Sequence, residues 1–263
     1  MPTVQARNRF PAGLVQPPGY FRFAADALLL AALLEPESTS CSLVDLGCGC
    51  GVVGLAMLLR HTDCTVTGVD KEPALTEAAQ ENARLLGLED SYTAVTADVA
   101  HLFYPDTGHS NTIRPDTGPD PDPAPGLFDM ALANPPYYIL GHGRLPADPA
   151  RTKALFGQRE TLSIFCRAAV RALRPGGRLG MVFTASRLPE LCHELTASGF
   201  GAIGIIPVHG REGKEASLVL ITATKGSRTA SSLAPALVLH CGNSLCHSPQ
   251  ALAFCPELDN IKK

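Results

Sequence analysis

Two short segments of this 263-residue chain carry residue types that could do chemistry together. The first is Leu43-Val44-Asp45-Leu46-Gly47-Cys48-Gly49-Cys50-Gly51, an apolar run that breaks into alternating glycines. The second is Asn134-Pro135-Pro136-Tyr137-Tyr138, which leaves the apolar run Ala131-Leu132-Ala133. Glycines at the end of a strand let a ligand approach the backbone and the N-terminus of the following helix. In the second segment, two prolines stiffen the turn and supply no N–H of their own. The Asn134 side-chain carbonyl and the Pro135 backbone carbonyl can then both accept from one flat NH2 group. Accepting those protons draws the nitrogen lone pair out of conjugation and aims it away from the clamp. An amine aimed in this way suits attack on an activated carbon, and Tyr137 can stack on its ring.

Further residues fit the same scheme. Asp70 closes a β-branched run 19 residues after Gly51, where a carboxylate can accept both hydrogen bonds of a ribose diol. Asp98, in Thr96-Ala97-Asp98-Val99, can accept from an adenine amino group or cap a helix. Gly49-Cys50-Gly51-Val52-Val53-Gly54 also satisfies the G-x-G-x-x-G dinucleotide pattern, so a nicotinamide-dependent oxidoreductase is a competing reading. Alkylation of an amine by a carbon that carries a good leaving group needs no general base of high pKa. Alignment of the reacting groups supplies most of the acceleration, about 7–11 kcal/mol. None of the eight histidines receives a catalytic role, although His142 and His209 fall near the site.

The elements that must position these residues follow from periodicity. Ser42 to Leu46 is a buried strand, and Val52 to Arg60 a helix with Leu55, Leu58 and Leu59 on one face. Thr65 to Val69 is a second strand. Pro73 opens a helix that Gly87 stops, with Leu75, Ala78, Ala79, Asn82, Leu85 and Leu86 at helical spacing. Tyr92 to Thr96, Phe128 to Ala133 and Arg178 to Phe183 are further strands, with a helix near Arg159 to Leu173 and a turn at Pro175-Gly176-Gly177. A helix over Leu188 to Ser198 precedes strands near Ala202 to Val208 and Leu218 to Ala223. Phe21 to Leu34 is helical, with Asp26 as its cap. This alternation implies an α/β, doubly wound, mostly parallel sheet with helices on both faces.

Residues 1–20 read as an irregular arm, 21–225 as the main domain and 226–263 as a C-terminal extension that adds a strand near Pro235 to His240 and a helix near Ser248 to Phe254. Residues 104–126 carry six prolines and repeat Pro-Asp-Thr-Gly, which predicts a solvated, disordered insertion. A net charge of −3 offers no global attraction to nucleic acid, so any such contact must be local. Local cations do follow the clamp, at Arg144, Arg151, Lys153 and Arg159, and recur at Arg211 and Lys214. The nine cysteines contain no Cys-x-x-Cys pair, and no metal site is expected. No signal peptide or membrane span is legible, so the expected location is the cytoplasm.

At these residues the sequence resembles the class I S-adenosylmethionine-dependent methyltransferases. Within them it is similar to the bacterial family that methylates N6 of the adenine beside the anticodon in a valine tRNA. The resemblance runs through Phe21 to Leu30, Val44 to Gly51, Gly68 to Pro73 and Asn134 to Tyr138. It continues weakly through Arg211 to Ala216 and Leu218 to Leu220, covering most of residues 15–225. It implies a Rossmann-like, seven-stranded sheet whose last strand is antiparallel. It also implies S-adenosyl-L-methionine as cofactor, held by Asp45, Gly47, Cys48, Gly49, Gly51, Asp70, Asp98 and Asn134. Asn134, Pro135, Pro136 and Tyr137 would then be catalytic, and Tyr137, Tyr138, Arg151 and Lys153 would bind the substrate, expected to be tRNA. Asn-Pro-Pro-Tyr also serves enzymes resembling release-factor glutamine methyltransferases and DNA adenine methyltransferases, so the amine's owner stays open. A non-catalytic cofactor-binding scaffold is the remaining alternative.

Overall fold

In a computed structural model of the chain, the structure describes residues 2–20, 22–102, 126–136, 138–139, 156–157, 160–242 and 244–261. The parallel centre of the sheet is built by β1 (Ser42–Leu46), β2 (Thr65–Asp70), β3 (Tyr92–Thr96), β4 (Phe128–Ala133) and β5 (Leu173–Thr184). Beyond β5 come β6 (Phe200–Arg211) and β7 (Ala216–Lys225), and β7 runs antiparallel to both of its neighbours. The order across the sheet is β3-β2-β1-β4-β5-β7-β6. The chain therefore leaves β1 toward β2 and β3 on one side, and takes β4 and β5 to the other. Register fixes what meets at that reversal: Leu46 lies beside both Val69 and Ala133.

Helices cover both faces. On one lie α2 (Ala25–Ala31), α3 (Val52–Arg60) and α4 (Pro73–Leu86), and on the other α5 (Thr161–Ala172) and α6 (Leu188–Ala197). Each layer has its own core, one around Leu29, Leu55, Met57 and Leu86, the other around Phe165, Cys166, Leu191 and Leu195. Helix α3 is buried from Val52 to Leu58, because α2 packs on the side that the sheet does not cover. Six cysteines are buried as small hydrophobes, and Cys241 and Cys246 are exposed.

Four expectations are corrected. The sheet has nine strands rather than seven. The seven strands of residues 21–225 end, as expected, in the antiparallel β7, and the C-terminal extension adds residues 232–233 (β8) and 237–240 (β9), both paired in parallel with the outer edge of β6. The arm is not irregular throughout: Pro2–Arg9 forms α1, tied to α4 by Arg7 donating to the carbonyls of Leu86 (2.7 Å) and Gly87 (3.0 Å). Helix α2 begins at Ala25, with Ala24 at the cap and Asp26 inside the first turn. Finally, β5 starts at Leu173 and runs through Pro175-Gly176-Gly177, absorbing them as a register shift against β4. The C-terminal extension supplies the expected strand and a helix, α7 (Pro249–Phe254), and Arg60 of α3 holds Glu257 just beyond it through a two-point ion pair. The insertion at 104–126 falls almost wholly outside the described residues. Among the described residues no helix is long and apolar enough to cross a membrane, and no three ligand-type side chains group around a possible metal.

Candidate active site

The glycine turn leaves β1 at the carboxyl edge of the sheet. Its first two amides, Gly47 N and Cys48 N, both donate to Val69 O at 2.8 and 2.9 Å, which folds the turn over the end of β2. Gly47, Gly49 and Gly51 all have positive φ, at 72, 56 and 86°, a region where a side chain would be strained. Helix α3 then starts at Val52, so its N-terminus opens directly at the turn.

Beneath the turn, buried polar groups hold its shape. Asp45 is only 1% exposed and accepts from Gly54 N at 3.1 Å, anchoring the first turn of α3 from below. Burial pushes its carboxyl up to about 7, with the Gly54 bond opposing the shift and the Asp70 charge adding to it. The Tyr92 hydroxyl rises from β3 into the same layer, beside the Cys48 thiol. A Cβ on Gly68 would sit 2.2 Å from that hydroxyl and 3.0 Å from the thiol. Glycine is thus required at residue 68 by close packing, not by backbone angle. Burial also drives the Cys48 thiol well above its usual range, with the nearby Asp45 and Asp70 charges adding to the shift, so it is an inert, protonated filler.

Asp70 stands beside the turn at the end of β2. One oxygen accepts from Gly49 N and the other from Glu72 N, each at 3.0 Å. Two carboxylate oxygens offer about four acceptor sites, so two remain for a ligand. Burial raises its pKa, and the two amide bonds work against that rise. The Cβ position of Gly49 opens onto free space, with nothing within 4 Å. Asp98 is exposed, and its side chain accepts from Ala100 N at 2.9 Å, capping the short turn Val99–His101.

Asn134 follows β4 one residue past Ala133, as Gly47 follows β1 one residue past Leu46. These two partners are in register, so clamp and turn leave adjacent strand ends on the same edge. Pro135 is buried and Pro136 partly so. Tyr138–Ile139 pairs in parallel with Phe156–Gly157 as a separate small ladder beyond the clamp. Tyr137, Arg144, Arg151, Lys153, Arg159, His142 and the Tyr138 side chain lie outside what the structure describes. Arg211 and Lys214 sit on the hairpin joining β6 to β7, where the Lys214 amide donates to Arg211 O and His209 Nδ1 contacts Lys214 O.

Two residues of this neighbourhood escape the sequence reading. Asp26 is 6% exposed, and Asn134 Nδ2 donates to its Oδ2 at 3.3 Å. The available signal is its position inside Phe23-Ala24-Ala25-Asp26-Ala27-Leu28-Leu29, where a carboxylate must be buried on any face and therefore needs a donor. Tyr92 opens β3 and carries no local sequence signal of what lies above it.

Residues 23–107 match the family model described as the methyltransferase small domain. The tRNA1(Val) (adenine(37)-N6)-methyltransferase of Aeromonas hydrophila is 25% identical over 210 residues, covering 78% of this chain and 77% of its own length. The release factor glutamine methyltransferase of Cereibacter sphaeroides is 26% identical over 195 residues, covering 71% of this chain and 62% of its own. Among solved structures, one described as a predicted O-methyltransferase from Agrobacterium tumefaciens superposes with a TM-score of 0.64. It is 24% identical and covers 89% of this chain and 95% of its own. The fold is that of the class I S-adenosylmethionine-dependent methyltransferases, and the family match over residues 23–107 falls on the half of the sheet that carries the glycine turn. Within that class the chain resembles the bacterial tRNA1(Val) adenine-N6 methyltransferases.

Proposed function

We propose that this enzyme methylates an exocyclic amino nitrogen, and that the acceptor is N6 of an adenine in tRNA. The observation that carries the reading is the register of Leu46 with Ala133, which brings the glycine turn and Asn134 to neighbouring strand ends. S-adenosylmethionine, when bound, supplies a methyl group on a positively charged sulfur. Gly47, Gly49 and Gly51 would hold it along the open side of the turn, with Asp70 using its two remaining acceptor sites on the ribose hydroxyls. Asp45 and Cys48 contribute from beneath, by shaping the turn. Asp98, exposed at the end of β3, would face the adenine.

Asn134 Oδ1 and the Pro135 carbonyl each accept a hydrogen bond from one N–H of the substrate amine, which localises its lone pair and turns it toward the cofactor side; once the nitrogen is alkylated it sheds one of these protons to water. Pro136 keeps the bend rigid, and Tyr137 and Tyr138 stack on the acceptor ring. Arg151 and Lys153 would meet phosphates. Residues 21–225 form the catalytic domain, and 226–263 extend its sheet.

The tRNA reading is supported by a relative whose match spans three-quarters of both chains. A glutamine amide presents a similar NH2 group, and the release-factor relative favours that second reading. The two are separated by incubating the protein with tritiated cofactor and separated tRNA, rRNA, DNA and protein fractions. Label in tRNA is the expected result. Label in a release factor would move the assignment to glutamine, and no label in any fraction would overturn the proposed chemistry.

A further inference from the structure

We propose that Asp26 is a positioning residue that locks the Asn134 carboxamide with its oxygen free to accept the substrate amine. The inference rests on the assignment of Asn134 to that amine. Asp26 sits in the first turn of α2, a helix otherwise made of alanine and leucine, and is 6% exposed. A carboxylate left there without donors would be costly, so what it bonds is informative. Its Oδ1 accepts from Ala27 N at 2.9 Å and its Oδ2 from Asn134 Nδ2 at 3.3 Å.

An asparagine side chain has two faces of opposite character, a carbonyl that accepts and an amino group that donates. Left to rotate, half of its orientations would point an N–H at the substrate N–H and repel it. An ionised carboxylate only accepts. Turning Asn134 over would set oxygen against oxygen, and Asp26 therefore admits one orientation alone. Nδ2 is spent on Asp26 and Oδ1 is turned away from it. The lock comes from a different element, α2, while the clamp it sets leaves β4. Asparagine in place of Asp26 has nearly the same shape but can offer either face, so the orientation would no longer be unique.

The test compares Asp26→Asn, Asn134→Ala and the double variant in the intact chain, using tritiated cofactor and the fraction that the unaltered protein labels. Losing one preorganised group of an active site costs about 100-fold or more, and an indirect contributor should cost less, about 10-fold in kcat. Acceptor KM, cofactor affinity by calorimetry and melting temperature should stay close to those of the unaltered protein. The double variant should be no slower than Asn134→Ala, since both changes remove one function. In protein labelled with 15N-asparagine, the Asn134 carboxamide signals should shift when Asp26 is replaced, with no substrate present. Unaltered kcat in Asp26→Asn, additive losses in the double variant, or unmoved carboxamide signals would each overturn the inference while leaving the clamp intact. Full turnover in Asn134→Ala, or no labelled fraction at all, would instead overturn the reading beneath it.

Discussion

The two ends of the proposed active site are built in different ways. The glycine turn is closed by backbone bonds and braced from below: Val69 O takes two of its amides, Asp70 takes a third, and Asp45 pins the helix that follows. The proposed amine clamp, one strand away, depends on the rotation of a single carboxamide that donates to Asp26. A backbone turn fixed in one arrangement offers a ligand the same groups every time. A side chain that must choose between accepting and donating can be set, and its setting decides chemistry. The difference teaches that changes on the β1–β2 side should read out as affinity or stability, and changes on the β4 side as turnover.

Asn134→Ala is the sharpest test of that division. Turnover should fall by about 100-fold or more, as for loss of one preorganised group, with cofactor affinity within about twofold. Calorimetry and single-turnover transfer check it, and a matched loss of affinity would break the comparison. Asp70→Ala is the converse case. Removing a charged acceptor of two ligand hydroxyls should weaken cofactor binding by about 10- to 100-fold, from roughly 1.5–3 kcal/mol. At saturating cofactor, turnover should largely recover.

Gly68→Ala moves no ligand group. It forces a methyl into the buried Tyr92 hydroxyl, so chemical denaturation should show a loss of about 1–3 kcal/mol from overpacking.

A further effect is one of pH. Asp45 has a folded pKa of about 7, above its unfolded value, so the carboxyl is neutral in both states at low pH and costs nothing there. Once pH passes 3.8 the unfolded chain releases this proton while the folded chain still holds it, so stability falls steadily until the folded group ionises at about 7 and is level beyond. Asp70 shifts in the same direction and adds to the slope. Asp45→Asn keeps a carbonyl for Gly54 N and should flatten the decline in unfolding free energy between about pH 4 and pH 7. An unchanged slope would show that Asp45 does not carry it.

Most of what positions the turn is legible in the order of residues alone, for a physical reason. Strand, glycines and helix follow one another within β1 to α3, so local periodicity and composition suffice. The clamp's location depends on register between β1 and β4, which are more than 80 residues apart in the chain, and no local pattern encodes that pairing. Asp26 reads as a cap because a helix cap and a buried carboxylate look alike in sequence, while only its distant partner Asn134 tells them apart. Helix α1 gives no apolar periodicity, since its residues are mostly polar and exposed, and Arg7 holds it through the end of α4. Pro175-Gly176-Gly177 has the composition of a turn, yet pairing on either side carries β5 through it. Of the outer strands, β9 is legible as the apolar run before His240, whereas β8, at two residues, is too short for its own signal; both pair on the free edge that β6 offers.

The central claim is that a pair of carbonyl acceptors selects a flat NH2 group for methylation. Its most direct test is the chemical identity of the product, obtained by digesting the labelled acceptor and locating the new methyl group by mass spectrometry. The account predicts methyl on an exocyclic amino nitrogen, as N6-methyladenosine in tRNA. Methyl found on an oxygen, a carbon or a ring nitrogen would contradict it.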